Sequence, residues 1–411
     1  MVVRHGLLLC CALCAVSLLS CKDRGGTVPV QVVEVSDTVL CDTVRRTAIT
    51  FIMGEDNSLY NQYYTLAGYY YRLNREDRTE MVVEGLRSLS EVLDYLREHP
   101  TENGLPYGLI NIVSHGNEFV DLQMKIIPRG RRTSAEALYD ALLDGTLVPL
   151  ESGVVDSQTV VWLHGCAVGN NQLLLNVLAR TFGDGNGVKV KASKLFEYYA
   201  YLSQNKNPMS VRHYFARTWY AYYHPDSVMD EQAMVRQLRQ RYPDDTTHWC
   251  EGLQRRFQDN PSELYHYSFE VPCKYEEVFG VGEPPASVYG ERQRRQWVSK
   301  HPEFVELMEK THIPQQYFQL KFYRCTYVQD DELVYGLKVK ARAGVVCLIQ
   351  PLTETDTAGN LYMPYRPDED DSSIFAYSTL KPTPVAGPLK MEEGLEEWRE
   401  FLLYQKKDVS L

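Results

Sequence analysis

The chain has 411 residues and a formal net charge of −11, and its basic residues are scattered along the sequence. A nucleic-acid partner needs a basic protein face against its phosphates, so the charge argues against nucleic-acid binding.

About 390 residues remain after the N-terminal leader. That length exceeds the size at which a single hydrophobic core stops growing, so two domains are expected.

The first 20 residues have the pattern of a secretory signal sequence. Arg4 precedes an apolar run over residues 6–19, which is followed by Ser20 and Cys21. The run is shorter than the about 20 residues that cross a bilayer, so residues 1–20 are expected to be a signal peptide. The tetrapeptide Leu-Leu-Ser-Cys that ends at Cys21 resembles a bacterial lipobox. This resemblance implies that Cys21 becomes a lipidated N-terminus, and plain secretion is the alternative.

Residues 21–45 are polar and are expected to form a lipidated tether. Several acyl chains on one cysteine anchor a protein stably, because each buried methylene contributes about 0.8 kcal/mol. The expected location is therefore the cell envelope, periplasmic or at the cell surface, with the lipid at Cys21 as the contact with the membrane.

Residues 46–225 alternate between short apolar, strand-like runs and segments with apolar residues at helical spacing. Strands are predicted at residues 47–53, 109–113, 120–127, 159–163 and 188–192. Helices are predicted at 80–98, 133–143 and 170–182, and the tyrosines from Tyr60 to Tyr71 are expected on a further packed helix. Such alternation predicts a parallel sheet with helices on both faces, that is, a three-layer α/β/α domain.

The rest of the chain changes in character. Helices are predicted at 229–241, 247–257 and 292–310, so residues 226–312 are expected to be a helical extension. Residues 313–411 alternate like antiparallel strands and are expected to form a smaller β-rich module, closed by a helix near 391–404. An export compartment permits disulfides, and two pairs are suggested, Cys325 with Cys347 and, more weakly, Cys250 with Cys273.

Two predicted strands end in residues that can carry chemistry. His115 and Gly116 follow the strand at 109–113, and Cys166 follows the strand at 159–163. The carboxyl ends of parallel strands share one edge of a sheet, where ligands gather. A nearby imidazole can take the proton of a thiol and create the nucleophilic thiolate. The backbone N–H groups of Gly116 and Cys166 could then stabilise an oxyanion.

This pattern resembles the caspase-like clan of cysteine peptidases, which includes caspases, legumain, clostripain and gingipains. An apolar block precedes His-Gly, and a second apolar block precedes a small residue and Cys, with 51 residues separating His115 from Cys166. In caspases the histidine lies about 50 residues before the cysteine. The resemblance covers residues 47–200. It implies a caspase-like domain, a gingipain-like sandwich after it, no cofactor, and a peptide or protein substrate.

The resemblance also assigns roles to residues. Cys166 is expected to be the nucleophile, His115 the general base and leaving-group acid, and Gly116 the oxyanion donor beside the amide of Cys166. The sequence thus predicts an enzyme, a cysteine endopeptidase that acts through an acyl-enzyme.

Two alternatives stay open. His115, His164 and Cys166 could ligate zinc, since residues 164 and 166 point to the same side of an extended segment. A closed site needs a fourth ligand, which the neighbouring sequence does not offer, so no metal is expected. The other alternative treats Cys166 as a small core residue and His115 as a core histidine. The protein would then be a non-catalytic surface or periplasmic lipoprotein that binds peptide or glycan.

Overall fold

The structure is a computed structural model. It describes residues 46–56, 62–73, 81–117, 121–202, 205–255, 265–280, 290–329, 332–352, 354–355, 361–362 and 371–379. The predicted signal peptide, the lipidated Cys21, the tether and the closing helix near 391–404 lie outside these ranges. Among the described residues, no helix is both long and apolar enough to cross a bilayer.

The described residues form the following strands and helices. The strands are β1 (Ala48–Ile52), β2 (Met81–Glu84), β3 (Leu109–Val113), β4 (Gly116–Asn117), β5 (Asp121–Lys125), β6 (Arg132–Thr133), β7 (Val160–His164), β8 (Lys189–Ser193), β9 (Phe196–Tyr201), β10 (Val211–Tyr223), β11 (Tyr265–Phe279), β12 (Phe318–Gln329), β13 (Glu332–Pro351), β14 (Glu354–Thr355), β15 (Leu361–Tyr362) and β16 (Phe375–Tyr377). The helices are α1 (Tyr63–Leu73), α2 (Leu89–Glu98), α3 (Ala135–Leu143), α4 (Gln172–Gly183), α5 (Glu231–Arg241), α6 (Trp249–Gln254), α7 (Glu291–Val298) and α8 (Pro302–Thr311).

The first sheet has the strand order β2-β1-β3-β7-β8-β16. Its first five strands are parallel, and β16 is antiparallel to β8. The order of strands along the chain reverses between β1 and β3, which makes their carboxyl ends a topological switch point of the kind where doubly wound sheets bind ligands. The predicted α/β class with a mostly parallel sheet is confirmed. β5, predicted as part of this alternation, belongs instead to a small sheet with β4 and β6.

The two faces of the first sheet differ in polarity. One face is apolar and packs on α2, α3 and α4, and its strand residues include Ile49, Ile112 and Leu163. The opposite face contacts α1 and the β9–β10 pair. Alternate residues of the central strands point to this second face, and several are polar and buried: Thr50, Asn111, His164 and Lys191. The candidate site lies on this polar face.

The second sheet is antiparallel, with the order β11-β13-β10-β9 and with β12 also paired to β13. The long strand β13 is its centre, because different parts of β13 pair with β10, β11 and β12. Helices α5 and α6 pack against one apolar cluster of this sheet, and α7 and α8 against another. Strands from all three predicted segments, 46–225, 226–312 and 313–411, therefore share one sheet, and Arg45–Leu411 form one compact unit.

The predicted helix at 80–98 is wrong in its first part. Residues 81–84 form β2 and pair with β1 in parallel, and only Leu89–Glu98 are helical. Gly85 has a φ of +88°, a left-handed conformation that ends the strand and that a side chain would disfavour. Ser88 then caps α2 by accepting from the backbone N–H of Glu91. The predicted helix at 292–310 is likewise divided, since Pro302 occupies the first turn of a new helix.

The last predicted strand joins a different sheet from the one expected. Phe375 pairs with Ser193 and Tyr377 with Lys191, so β16 completes the edge of the first sheet and lies outside the sheet formed by β12 and β13. The hairpin of β12 and β13 is antiparallel, as predicted.

The suggested disulfides do not form. Cys325 is opposite Gly336 of β13, whereas Cys347 lies eleven residues further along that strand. At about 3.3 Å per residue the two cysteines are roughly 35 Å apart, far beyond the reach of a disulfide. Cys250 carries a free, exposed thiol. The side chain of Cys273 lies outside the described part.

Candidate functional site

The two predicted catalytic residues each follow the last paired residues of β3 and β7. Val113 is paired with His164, and the N–H of Ser114 donates to the carbonyl of His164 at 3.0 Å. His115 and Cys166 come two residues after this last pair, where both strands have ended. Tyr63 links their surroundings, because its ring stacks on His115 and a charge on Cys166 would raise its pKa.

Glycine is needed next to each of these residues. A Cβ on Gly116 would lie 2.5 Å from the backbone oxygen of Asp121, and one on Gly165 would lie 3.0 Å from that of Ser114. The side chain of Asp121 also accepts a short hydrogen bond from the side-chain amide of Asn171. This hydrogen bond therefore connects the loop after His115 to the turn after Cys166.

The turn after Cys166 is sharp. Ala167 has a φ of +56°, which is unfavourable for a residue with a side chain. A short 3₁₀ turn over Val168–Asn170 follows, and Asn171 caps α4 by accepting from the N–H of Leu174 at 3.1 Å. Asp121, beside the other loop, also has a positive φ, of 58°. Strained backbone of this kind is concentrated at functional sites, and here it occurs in both candidate loops.

His115 packs against two tyrosines of α1. Its ring stacks on Tyr63 with centroids 4.5 Å apart and meets Tyr64 edge to face at 4.8 Å. Its backbone N–H donates to the hydroxyl of Tyr64 at 3.0 Å. Burial lowers the pKa of His115 below its ordinary value of 6.5, and the nearby carboxylate of Asp56 opposes this shift. Burial thus favours the neutral imidazole, the form that can accept a proton.

Cys166 lies within electrostatic reach of the same two tyrosines. Its side chain is 7 % exposed, and its thiol donates to the backbone carbonyl of Glu197 at 3.3 Å. Burial is the main cause that raises the pKa of Cys166 far above its ordinary value, so the resting thiol is protonated. A charge on Cys166 would in turn raise the pKa of both Tyr63 and Tyr64. One pair of tyrosines therefore contacts His115 and lies within electrostatic reach of Cys166.

Helix α1 is held in place by the segment that follows β1. The carboxylate of Asp56 accepts from the backbone N–H groups of Tyr64 at 3.0 Å and Thr65 at 2.8 Å, at the N-terminus of the helix. A side chain on Gly54 would overlap the ring of Tyr64. The segment that follows β1, the strand on one side of the switch point, thus positions the tyrosines around His115.

A second polar cluster, which sequence reasoning missed, lies on the same face. His164 is brought together with Glu197 of β9 and His213 of β10, and not with the zinc set considered from the sequence. Nδ1 of His164 is 3.0 Å and Nε2 of His213 is 2.9 Å from Oε2 of Glu197. The signal in the sequence was weak, because Glu197 and His213 fall in a tyrosine-rich stretch to which no element was assigned.

Comparisons with models of known families, with curated proteins and with solved structures found no match. Function is therefore inferred from the chemistry of the site, because a fold by itself does not define an activity.

Proposed function

We propose that the protein is a caspase-like cysteine endopeptidase in which Cys166 is the nucleophile and His115 is the general base and acid. The observation that supports the proposal is the register of β3 and β7, in which the last pair, Val113 and His164, comes two residues before His115 and Cys166. Both residues thus follow the carboxyl ends of neighbouring strands, and β3 also borders the switch point with β1, where sheets of this type bind their ligands.

The reaction has two covalent steps. His115 takes the thiol proton, the sulfur of Cys166 bonds to the carbonyl carbon of the peptide, and the carbon–nitrogen bond breaks as His115 returns the proton to the leaving amine. Water, deprotonated by His115, then attacks the thioester and releases the carboxylic acid, and the proton returns to the sulfur. Protons and bonds balance over the cycle, and no cofactor is consumed.

Backbone amides have the second role in this reaction. The N–H groups of Gly116 and Cys166 are the proposed oxyanion donors for the tetrahedral intermediate. A lipid on Cys21 would hold the enzyme at the cell envelope, with a peptide or protein as its substrate.

Hydrolysis of a mixed peptide library, followed by mass spectrometry, tests the proposal. We expect Cys166→Ala to abolish turnover and His115→Gln to lower it about 10²- to 10⁴-fold. Matched controls are Cys250→Ala, an exposed free thiol, and His99→Gln, at the end of α2. Both controls should hydrolyse the library as the wild type does. Unchanged turnover by Cys166→Ala would contradict the proposal.

A non-catalytic peptide- or glycan-binding lipoprotein is the second candidate, and one observation favours it. The thiol of Cys166 is buried and bonded to a backbone carbonyl, while Tyr63 covers the ring of His115. A peptide that carries an electrophilic ketone separates the two candidates. A peptidase should be labelled at Cys166 faster than at the exposed Cys250, whereas a binding protein should be labelled only at Cys250.

A further inference from the structure

The cluster beneath the candidate catalytic pair contains three side chains of metal-ligating type. The side chains of His164 and Glu197 are 1 % and 0 % exposed, and that of His213 is 8 % exposed. One potential ligand atom from each lies within 4.8 Å of the others. They come from β7, β9 and β10, so the site joins the first sheet to the second.

The carboxylate of Glu197 is incompletely satisfied by the protein. Oε2 faces both histidines, but Oε1 is buried and has no hydrogen-bond partner among the described residues. A buried carboxylate normally has its oxygens paired or coordinated to a cation. The bare oxygen thus indicates a ligand at this point.

The other side of His164 fixes how its ring is used. The side-chain amide of Asn111 donates to the hydroxyl of Thr50 at 3.1 Å, so the Asn111 oxygen faces Nε2 of His164, also at 3.1 Å. The hydroxyl of Tyr71 also lies 2.8 Å from Nε2 and, like the Asn111 oxygen, can accept a hydrogen bond from it. In the tautomer with the hydrogen on Nε2, the lone pair of Nδ1 is directed at Oε2 of Glu197, and a cation fits between these two acceptors. A ligating histidine whose other N–H is held by the protein is the usual arrangement at metal sites.

We propose that His164, Glu197 and His213 bind one zinc ion. Two imidazoles and a carboxylate are a known zinc donor set, and Oε1 of Glu197 or a water can supply the fourth ligand. Zinc bonds of about 2.0–2.2 Å imply ligand atoms about 3.4 Å apart. The two distances to Oε2 of Glu197, 2.9 and 3.0 Å, would widen by a few tenths of an ångström, and the two histidine nitrogens, which lie within 4.8 Å of each other, would come to the same spacing. The nearby Lys191 ammonium lies over the rings of Trp162 and Phe375, whose faces stabilise its charge.

The proposed zinc ion would link the two sheets next to the candidate catalytic residues. It would connect the end of β7, just before Cys166, to β9 and β10 of the second sheet. The thiol of Cys166 bonds to the backbone carbonyl of Glu197, whereas the proposed ligand is the carboxylate of that residue, so the inference does not require the peptidase activity.

Metal analysis of the full-length protein tests the inference. The protein is purified without a histidine tag and without chelators, and its metals are measured by mass spectrometry. We expect about one zinc per chain in the wild type and below about 0.1 in His213→Ala and Glu197→Gln. The matched control His99→Ala should keep its zinc. Cys166→Ala should also keep its zinc although it should lose peptide hydrolysis. The zinc content therefore tests the metal site independently of the peptidase activity.

A second measurement avoids dependence on variants that fold poorly. Wild-type protein is stripped with a chelator and dialysed against zinc chloride, and Asn111→Ala is treated in parallel. We expect the wild type to take up one equivalent again, and Asn111→Ala to bind about 10- to 100-fold more weakly, because one of the two groups that hold Nε2 of His164 is removed. A wild type that holds no zinc as purified and takes none up, or a loss from His99→Ala equal to that from His213→Ala, would overturn the inference.

Discussion

The imidazole of His115 is in contact with Tyr63 and Tyr64, and its backbone is bonded to the Tyr64 hydroxyl. The phenols of these tyrosines and the carboxylate of Asp56 are titratable groups close to it. Burial disfavours the imidazolium more than Asp56 favours it, so the pKa of His115 is lowered. At the residue scale, the surroundings therefore keep this histidine ready to act as a base.

We predict that acid destabilises the wild type more than His115→Gln. The pKa of His115 is lower in the folded than in the unfolded state. Below the ordinary value of 6.5 the unfolded chain therefore binds more protons, and the free energy of unfolding falls as the pH falls. The loss is complete once the pH is below the folded-state pKa. Urea denaturation from about pH 7.5 to about pH 4.5 measures the free energy of unfolding of both proteins. Taking the difference between them cancels the contributions of the other titrating groups. Equal pH slopes would contradict this assignment.

The sequence was sufficient to predict that His115 and Cys166 follow strands, but it did not predict which side chains surround them. Both residues directly follow short apolar strands, and a local pattern predicts such strands well. The contacts of Cys166 with Glu197, and of His115 with Tyr63, depend on how α1 and β9 pack against the sheet. Packing between distant segments leaves no periodic signal in the sequence.

At the scale of elements, α1 determines how the candidate site is covered. It begins where Asp56 accepts two backbone N–H groups, and it presents Tyr63 and Tyr64 to His115. A small shift of this helix moves both aromatic rings. In the proposed peptidase, a substrate that reaches the ring of His115 would displace Tyr63, because the two rings are stacked.

We predict that Asp56→Ala and Asp230→Ala lose similar stability but differ in activity. Asp230 caps α5, on the second sheet, by accepting from the N–H of Ala233 at 3.0 Å. Each change should cost about 0.5–2 kcal/mol in the free energy of unfolding. Peptide hydrolysis should fall up to about 100-fold in Asp56→Ala, because His115 is displaced, and stay unchanged in Asp230→Ala. Equal activities in the two variants would argue against a positioning role for α1.

The sequence predicted the strands and helices that have a regular pattern of apolar residues. It did not predict the strands whose identity or position depends on which other strand they pair with. β3 and β7 are continuous apolar runs, and α3 begins at its Ser134 cap, as expected. β2 was taken for helix because Val83 and Leu86 continue the helical spacing of Leu89 and Val92, and only the pairing of β2 with β1 shows that residues 81–84 form a strand. β16 was assigned to the wrong sheet, since a strand of three residues carries no information about which edge it joins.

At the scale of the whole molecule, the two sheets depend on each other. β13, near the C-terminus, lies between β10 and β11, while β16 closes the edge of the first sheet. Residues Val345 and Val346 of β13 belong to two different apolar clusters, one on each face of the second sheet. The body of the protein is completed only after most of the chain has been made.

We predict that a protein truncated after residue 312 does not fold. The truncation removes β12, β13 and β16, which leaves β10 and β11 unpaired along β13 and exposes both apolar faces. It should aggregate or lack a cooperative unfolding transition. The full chain should unfold in one step, with coincident changes in tryptophan fluorescence and circular dichroism. A soluble, cooperatively folded truncation would show that the predicted boundary at 312 separates independent units.

A crystal structure of the protein after reaction with a peptidyl ketone tests the pairing of His115 with Cys166 most directly. The measured quantity is the distance from Sγ of Cys166, bonded to the inhibitor, to the nearer ring nitrogen of His115. We predict about 4 Å or less, with the inhibitor along the carboxyl edge of β3 and β7. An adduct on another thiol, or a separation of more than about 8 Å, would contradict the account.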